Sequence, residues 1–335
     1  MKPIYYAGPP GQCFGWGICN ANLSRELAKL TPLEMVDWQD NGHYAGIVFT
    51  PVNNSDFSPM AKCSGTKLAG YAFFEDGVCE SQAANARKYD LLFVGSTWCQ
   101  KQLAEFGVAS TVLIQGVDTS IFRPVHVGHR KRFTIFSGGK FEFRKGQDLV
   151  LAAFRKFNRA HPESDLYCSW NNGWPEIMRN MEQSKHIKYT HEPLANGDPN
   201  IARLCTDNDI PLACVHGLPF VNQITMAGVM NQCHVGLFPN RREGGTNLVL
   251  METMACGIPC IASAGTGHAD IVDAGNAFLL RNPESVEEIV DNLEFVYNPR
   301  YGHSRQAVAV AGLKRIREFT WERMARTAIE GMEGL

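Results

Sequence analysis

Short apolar runs alternate with amphipathic stretches along the whole chain. In the first half they predict strands near residues 3–7, 34–38, 45–50, 68–74, 91–95 and 111–115, with helices near 17–30, 79–88 and 97–106. In the second half they predict strands near 133–136, 165–170, 187–191, 212–216, 233–238 and 258–262, with helices near 147–158, 222–231, 284–297 and 304–332. This alternation is typical of a doubly wound α/β fold.

A polar, basic segment at residues 123–132 interrupts the alternation before a new strand begins. At 335 residues the chain is long for a single core,. We therefore predict two domains, residues 1–125 and 126–318, joined by this segment.

The composition is that of an ordinary globular protein, with 44% hydrophobic residues, 20% charged residues and a net charge of −2,. A near-zero charge argues against a nucleic-acid partner. The eleven cysteines form no C-x-x-C pair, and no apolar run approaches the length of about 18 residues that spans a bilayer,. We expect reduced thiols in a cytoplasmic protein that is neither exported nor membrane-spanning.

The most informative stretch is E-G-G-T-N-L-V-L-M-E-T-M-A-C-G-I-P, residues 243–259. The glycine pair 244–245 allows the backbone to pass close to a ligand, and Thr246 or Asn247 can cap the helix that follows. The free amide hydrogens and the positive end of the helix dipole attract phosphate. Glu243 and Glu252 flank this site and can accept hydrogen bonds from hydroxyl groups, so a sugar attached to a diphosphate fits both chemistries.

Two further segments lie between a strand and a helix. In S-G-G-K-F-E-F-R-K-G, residues 137–146, Lys140 and Lys145 can converge on one polyanion, although solvated loop lysines are the alternative interpretation,. The segment 8–17, which contains Gly15 and Gly17, is similar to the glycine-rich turn of nucleotide-binding folds,. A purely structural role for that turn is the alternative.

These motifs resemble those of the family-4 retaining glycosyltransferases. That family carries G-R-x4-K-G after the first strand of its C-terminal domain, and E-x7-E running into E-A-M-A-C-G-x-P at its donor site. Its N-terminal domain closes with a stretch similar to G-V-D-T-S-I-F-R-P at residues 116–124. The resemblance extends over most of the chain. It implies the GT-B fold, in which two Rossmann-like domains face a central cleft and a last helix, here about 319–335, crosses back to the N-terminal domain.

The resemblance also implies roles for individual residues. Lys140 stands where the family has arginine and Lys145 matches its lysine, so this pair would neutralise the donor diphosphate. Glu252 matches the carboxylate that binds the ribose, and Glu243 matches the one that contacts the donor sugar, with eight residues between them instead of seven. The backbone amides offered to the phosphates would be those of Gly245, Thr246, Asn247 and Leu248.

Other expectations concern the surroundings of the donor. The loop 216–220, including Gly217, lies where the family holds the nucleotide base, and Trp321 matches a structural tryptophan that opens the last helix. The histidine that many relatives place after the fourth N-terminal strand is absent, and Glu75 or Asp76 can line the catalytic cleft instead, unless it is an exposed turn carboxylate. His268 falls on a loop that either faces the cleft or lies on the surface.

One competing motif is Asp207-Asn208-Asp209, which has the D-x-D form of metal-dependent transferases. It follows a predicted helix end, where a capping turn is the more frequent role. We expect no metal ion and no other cofactor.

The resulting hypothesis is retaining, metal-independent transfer of a sugar from a nucleoside diphosphate sugar to a hydroxyl acceptor, either a saccharide or a glycolipid. Lys140, Lys145, Glu243 and Glu75 are the candidate catalytic residues. A sugar-nucleotide epimerase of the same fold and a catalytically silent nucleotide-binding protein are the competing hypotheses. Membrane contact would be weak and peripheral, since residues 1–125 carry nine Lys and Arg against eleven Asp and Glu.

Overall fold

The structure is a computed structural model that describes residues 2–9, 15–126 and 131–335. Residues 10–14 of the predicted glycine-rich turn and residues 127–130 of the predicted linker lie outside the described residues. The chain forms two compact units. The first comprises residues 1–118, 243–248 and 319–335, and the second comprises residues 119–242 and 249–318.

The first unit contains a parallel sheet of six strands in the order β2-β1-β3-β4-β5-β6. The strands are β1 (Ile4–Tyr6), β2 (Leu33–Met35), β3 (His43–Pro51), β4 (Ser64–Ala72), β5 (Leu91–Val94) and β6 (Thr111–Val112). Its helices are α1 (Gly15–Leu30), α2 (Glu80–Ala86) and α3 (Thr97–Ala104), together with α10 (Trp321–Met332) from the end of the chain.

The second unit also contains a parallel sheet of six strands, in the order β12-β11-β10-β7-β8-β9. These are β7 (Phe133–Gly138), β8 (Ser164–Ser169), β9 (Val215–Gly217), β10 (Val235–Phe238), β11 (Cys260–Ser263) and β12 (Phe278–Leu280). Its helices are α4 (Gln147–Ala160), α5 (Ile201–Asp207), α6 (Gln223–Met230), α7 (Leu248–Ala255, of which Leu248 groups with the first unit), α8 (Val286–Tyr297) and α9 (Gly302–Ile316).

Each unit has the predicted doubly wound α/β architecture. Every residue of β7 and β10 is buried, as expected for parallel strands that are covered by helices on both faces. The strand order of the second unit is that of dinucleotide-binding folds, and it reverses direction between β7 and β10,. Ligands of such sheets bind at the carboxyl ends of the strands at this switch point.

The last helix packs within the first unit, as predicted from the resemblance. A Cβ atom at Gly116 would lie 2.2 Å from the backbone nitrogen of Trp321, and one at Gly331 would lie 2.8 Å from the Phe93 ring. The amide of Val117 donates to the carbonyl of Phe319 over 2.9 Å. Trp321 itself is buried, which fits its predicted structural role.

Three predictions about elements were wrong. Residues 187–191 form no strand, because the side-chain amide of Asn208 bonds both the N–H and the C=O of Lys188 and so takes the place of a neighbouring strand. Residues 212–214 form a short 3-10 helix before β9. The predicted helix 304–332 is two helices, since Thr320 caps a new helix by accepting a hydrogen bond from the amide of Arg323.

None of the ten described cysteines forms a disulfide bond, and all of them except Cys79 are buried. No helix in the described part of the chain combines the length and the apolar character needed to cross a membrane.

Candidate functional site

Two loops meet at the switch point of the second sheet. Strands β7 and β10 are parallel neighbours, with Val235 paired to Ile135. Residues 139–146, which we call the lysine turn, follow β7, and residues 239–242 follow β10. The carboxyl ends of the two strands therefore place these loops side by side, where the strand order predicts a ligand.

The conformation of the lysine turn requires glycine at both of its ends. Gly139 and Gly146 have φ angles of 115° and 74°, in the positive region that residues other than glycine rarely adopt. A Cβ atom at Gly146 would lie only 2.2 Å from the carbonyl oxygen of Pro239. The turn is thus pressed against the segment that follows β10.

The two predicted lysines lie on this turn with different neighbours. The aliphatic part of Lys145 folds back over Gly139, and its Nζ would lie 3.8 Å from a Cβ atom there. Lys140 lies 5.2 Å from the centre of the Trp174 ring, and its Nζ is 3.6 Å from a carboxylate oxygen of Glu142. Both ammonium groups therefore belong to the carboxyl edge of the second sheet.

Sequence reasoning missed two charged residues in this turn. The carboxylate of Glu142 is buried and forms an ion pair with the guanidinium of Arg144, which lies between the two lysines in sequence. Arg144 also donates to the carbonyl of Arg242 over 3.3 Å. The turn thus carries three cations and one carboxylate, and its net positive charge suits a polyanion.

Asp148, in the first turn of α4, and Arg241, which follows β10, form a second ion pair next to the lysine turn. The two guanidinium nitrogens of Arg241 donate to the two carboxylate oxygens of Asp148 over 2.7 and 2.9 Å. Asp148 is completely buried and also accepts a hydrogen bond of 2.7 Å from the hydroxyl of Ser184. Asp148 stands directly before the apolar run 149–154 of α4, and this was the one sequence signal that could have indicated the pair.

Residues 243–248, which we call the glycine turn, belong to the first unit although the residues on both sides group with the second. The carbonyl of Gly244 accepts hydrogen bonds from the hydroxyl of Ser96 over 2.8 Å and from the thiol of Cys99 over 3.0 Å. A Cβ atom at Gly244 would lie 2.1 Å from the carbonyl oxygen of Phe74. The predicted close backbone approach is therefore made to the protein itself, at least at Gly244.

The remaining residues of the glycine turn are also buried. Glu243 and Thr246 are both among the buried polar residues, and a Cβ atom at Gly245 would lie 3.0 Å from the Phe73 ring. Asn247 has a φ angle of 62°, a left-handed conformation that asparagine tolerates better than most residues. Leu248 begins α7.

Glu75 lies close to the glycine turn in the first unit. It is half-buried and directly follows Phe74, whose backbone touches Gly244, while Asp76 is exposed. Glu75 and Glu243 are thus each one residue away from the same backbone contact. The structure brings these two predicted carboxylates into one region.

Glu252 is buried on α7, and burial raises the pKa of its carboxyl to about 8, with a hydrogen bond from Gln223 acting in the opposite direction. Gln223 begins α6, which follows the loop predicted to hold the base. Gly217 ends β9 and is exposed. The side chain of Gln223 thus links Glu252 to α6, the helix that follows the predicted base loop.

Gly15 and Gly17 lie in the first turn of α1. Within the described part of the chain, no atom would lie within 4 Å of a Cβ atom at Gly15, so the described fold does not itself require glycine at this position.

The predicted surface or cleft location of His268 is wrong. His268 is fully buried, and its Nδ1 lies 3.1 Å from both the hydroxyl and the carbonyl oxygen of Ser263. In the D-x-D motif, Asp207 pairs with Arg203 over 2.8 Å and Asn208 forms the C-cap of α5. Among the described residues, no group of three metal-ligating side chains is present.

Comparisons with known proteins agree with this geometry. Residues 194–298 match the family described as glycosyl transferases group 1. No curated protein matches the chain as a whole in sequence.

Solved structures resemble the chain over its full length. Sucrose-phosphate synthase from Thermosynechococcus elongatus has a TM-score of 0.70 at 15% identity, covering 98% of both chains. HepE from Anabaena in complex with UDP-glucose has a TM-score of 0.69 at 14% identity, covering 100% of both chains. The UDP-forming trehalose-phosphate synthase from Burkholderia xenovorans has a TM-score of 0.64 at 15% identity, covering 95% of this chain and 78% of the other. Residues 194–298 therefore match a glycosyltransferase family, and the chain as a whole has the two-domain fold of these solved structures.

Proposed function

We propose that the chain transfers a sugar from a UDP-sugar to a hydroxyl group of an acceptor, with retention of the anomeric configuration and without a metal ion. The observation that carries this proposal is the lysine turn at the switch point of the second sheet. Lys140 and Arg144 pair with the buried carboxylate of Glu142 there, and Lys145 lies over Gly139 on the same turn. Three cations and one carboxylate leave an excess of positive charge for a diphosphate.

The choice of UDP rests on the structural neighbours, because HepE is in complex with UDP-glucose and the Burkholderia synthase is UDP-forming. In this chain Glu252 would bind the ribose, and the loop containing Gly217 would hold the base. Gly245, Thr246, Asn247 and Leu248 would offer backbone amides to the phosphates, and Glu243 would contact the donor sugar. The acceptor would be a saccharide or a glycolipid.

The chemical step needs stabilisation of the charge that develops on the leaving diphosphate. Preorganised cations and amide dipoles supply this term, which is usually the largest in such reactions. As the bond between the sugar and the diphosphate breaks, an oxocarbenium-like centre forms at the anomeric carbon. The acceptor oxygen then bonds to this carbon from the face that the diphosphate leaves, and a phosphate oxygen takes the proton of the acceptor hydroxyl. No protein nucleophile is needed. Glu75 would contribute on the acceptor side.

The test begins with a thermal-shift screen of UDP, GDP, ADP and dTDP and their sugars. The best donor is then incubated with a panel of saccharides, nucleoside diphosphate release is measured, and the anomeric configuration of the product is read by NMR. We expect release that depends on the acceptor, a retained configuration and full activity in EDTA. Inversion would contradict the retaining mechanism, and a loss in EDTA that Mn²⁺ restores would contradict metal independence.

The same assay separates the competing hypotheses. Conversion of the donor alone into a different sugar nucleotide would indicate an epimerase. Tight nucleotide binding without turnover across the whole panel would indicate a silent binding protein.

A further inference from the structure

Arg241 lies after β10, and its guanidinium group contacts the lysine turn at Phe143. Besides the bidentate pair with Asp148, one guanidinium nitrogen donates to the carbonyl of Phe143 over 2.6 Å. The guanidinium carbon lies 3.8 Å from the centre of the Phe143 ring. A second carboxylate, that of Glu284, pairs with the remaining donors.

The backbone of Arg241 completes this attachment. Its amide donates to the carbonyl of Arg144 over 2.8 Å. Arg241 therefore binds Phe143, Arg144 and Asp148. Phe143 and Arg144 immediately precede Lys145 in the sequence, and Asp148 follows it closely. The position of Lys145 is fixed from both sides along the chain.

We propose that Arg241 is a positioning residue that holds the lysine turn in the conformation in which Lys145 can bind a diphosphate. The proposal rests on the proposed function, since it assigns Arg241 no role apart from the diphosphate. Arg241 acts through Lys145 and the turn, and is not a catalytic residue.

The geometry explains why this position needs arginine. The planar guanidinium offers several donors in a fixed arrangement, so it can bind both oxygens of Asp148, the carbonyl of Phe143 and Glu284 together. A lysine would keep the charge but could make only part of these contacts. A buried ion pair also gives little net stability compared with apolar residues of similar size, so stability alone does not account for this arrangement.

The test compares the affinities of the full-length protein for UDP and for uridine, measured by isothermal titration calorimetry. Their ratio isolates the contribution of the diphosphate. The variants are Arg241→Lys and the double variant Arg241→Met with Asp148→Leu, which removes both charges of the pair. The matched control is Arg203→Lys, because Arg203 also bridges two carboxylates of the second unit, Asp207 and Glu192. Lys145→Ala reports on the proposed function itself.

We expect Arg241→Lys to lower the ratio about tenfold, which corresponds to the loss of about one charge-assisted hydrogen bond. The double variant should lower it by a similar factor while melting within a few degrees of the wild type, and Arg203→Lys should leave it unchanged. A merely structural role would predict that the double variant recovers both stability and the ratio.

The outcomes separate the two proposals. A wild-type ratio in Arg241→Lys, together with a lowered ratio in Lys145→Ala, overturns the positioning role and leaves the proposed function standing. A wild-type ratio in Lys145→Ala, or no binding of UDP by the wild type, overturns the diphosphate site and the positioning role with it. If the double variant does not fold, Arg241→Lys decides alone.

Discussion

The lysine turn and the glycine turn are held in place by different physical means. Charged side chains hold the lysine turn, since Glu142 pairs with its own cations and Arg241 links it to Asp148. The glycine turn is held by its backbone, which lies against Phe74 and accepts hydrogen bonds from Ser96 and Cys99. The lysine turn therefore depends on ion pairs between charged side chains. The glycine turn depends on Gly244 having no side chain, because the backbone of Phe74 occupies that space.

This difference predicts how each turn responds to substitution. Removing a charge from the lysine turn should change ligand binding and turnover, because the proposed function assigns these charges to the diphosphate. Adding a methyl group at Gly244 should mainly lower the stability of the fold, because the backbone of Phe74 occupies the space that the methyl group needs.

The largest effect is expected for Gly244→Ala. The new methyl group would lie 2.1 Å from the carbonyl oxygen and 2.8 Å from the nitrogen of Phe74, and backbone atoms cannot move aside as a flexible side chain can. We expect a loss of about 3 kcal/mol or more in the free energy of unfolding, at or beyond the upper end of overpacking effects. Urea denaturation measures it.

Gly302→Ala is the matched control, because no atom of the described residues would lie within 4 Å of a Cβ atom at Gly302. We expect it to unfold like the wild type. If Gly244→Ala proves equally stable, the backbone contact with Phe74 does not fix the glycine turn.

Lys145→Ala tests the lysine turn in the same way. We expect turnover to fall by about 10²- to 10³-fold, the usual cost of removing one preorganised stabiliser of developing charge, with little change in melting temperature. The measurement is release of nucleoside diphosphate in the presence of an acceptor. Lys156→Ala is the control, since Lys156 pairs with Glu287 on the surface of the same unit; near wild-type turnover in Lys145→Ala would remove the diphosphate role.

Glu252 differs from the carboxylate of the lysine turn, because burial raises the pKa of its carboxyl and the hydrogen bond from Gln223 offsets this only in part. Its pKa is raised from 4.5 to about 8, so between these values the folded protein binds more protons than the unfolded chain. Stability is therefore highest below the unfolded pKa and falls as the pH rises towards 8. Glu252→Gln should remove this dependence.

The measurement is the free energy of unfolding of both proteins between pH 5 and pH 7. We expect the wild type to lose roughly 2–3 kcal/mol more than the variant over this range. Parallel curves would show that Glu252 is ionised throughout.

The same comparison shows what could be predicted from the sequence. The alternation of apolar runs predicted all strands of the first sheet and all but β12 of the second, because parallel strands that are buried on both faces have a continuous apolar signature. The glycines of the lysine turn were also visible, since φ angles of 115° and 74° at Gly139 and Gly146 are a local requirement. The strand at 187–191 was predicted wrongly because Asn208, a distant side chain, supplies the backbone hydrogen bonds there.

The surroundings of the glycine turn were not predictable in this way. Ser96 and Gly244 are 148 positions apart, and nothing local in either segment indicates that the Ser96 hydroxyl donates to the Gly244 carbonyl. The Arg241–Asp148 pair was missed for a similar reason, because each residue alone resembles a solvated surface charge. The burial of His268 likewise depends on packing rather than on its own sequence neighbours.

The smallest effects are expected at Lys140, and they refine the account of the lysine turn. Its ammonium group is shared with Glu142 at 3.6 Å and its side chain is 31% exposed, so part of its charge is already neutralised and screened by water. We expect Lys140→Ala to lower turnover by about tenfold, or about 1.4 kcal/mol, clearly less than Lys145→Ala. Lys140→Arg should stay within about threefold of the wild type, because a guanidinium can bind the same carboxylate and stack on Trp174. If Lys140→Ala lost as much activity as Lys145→Ala in the same release assay, Glu142 would not be screening Lys140, and the two lysines would have to contribute equally to the diphosphate site.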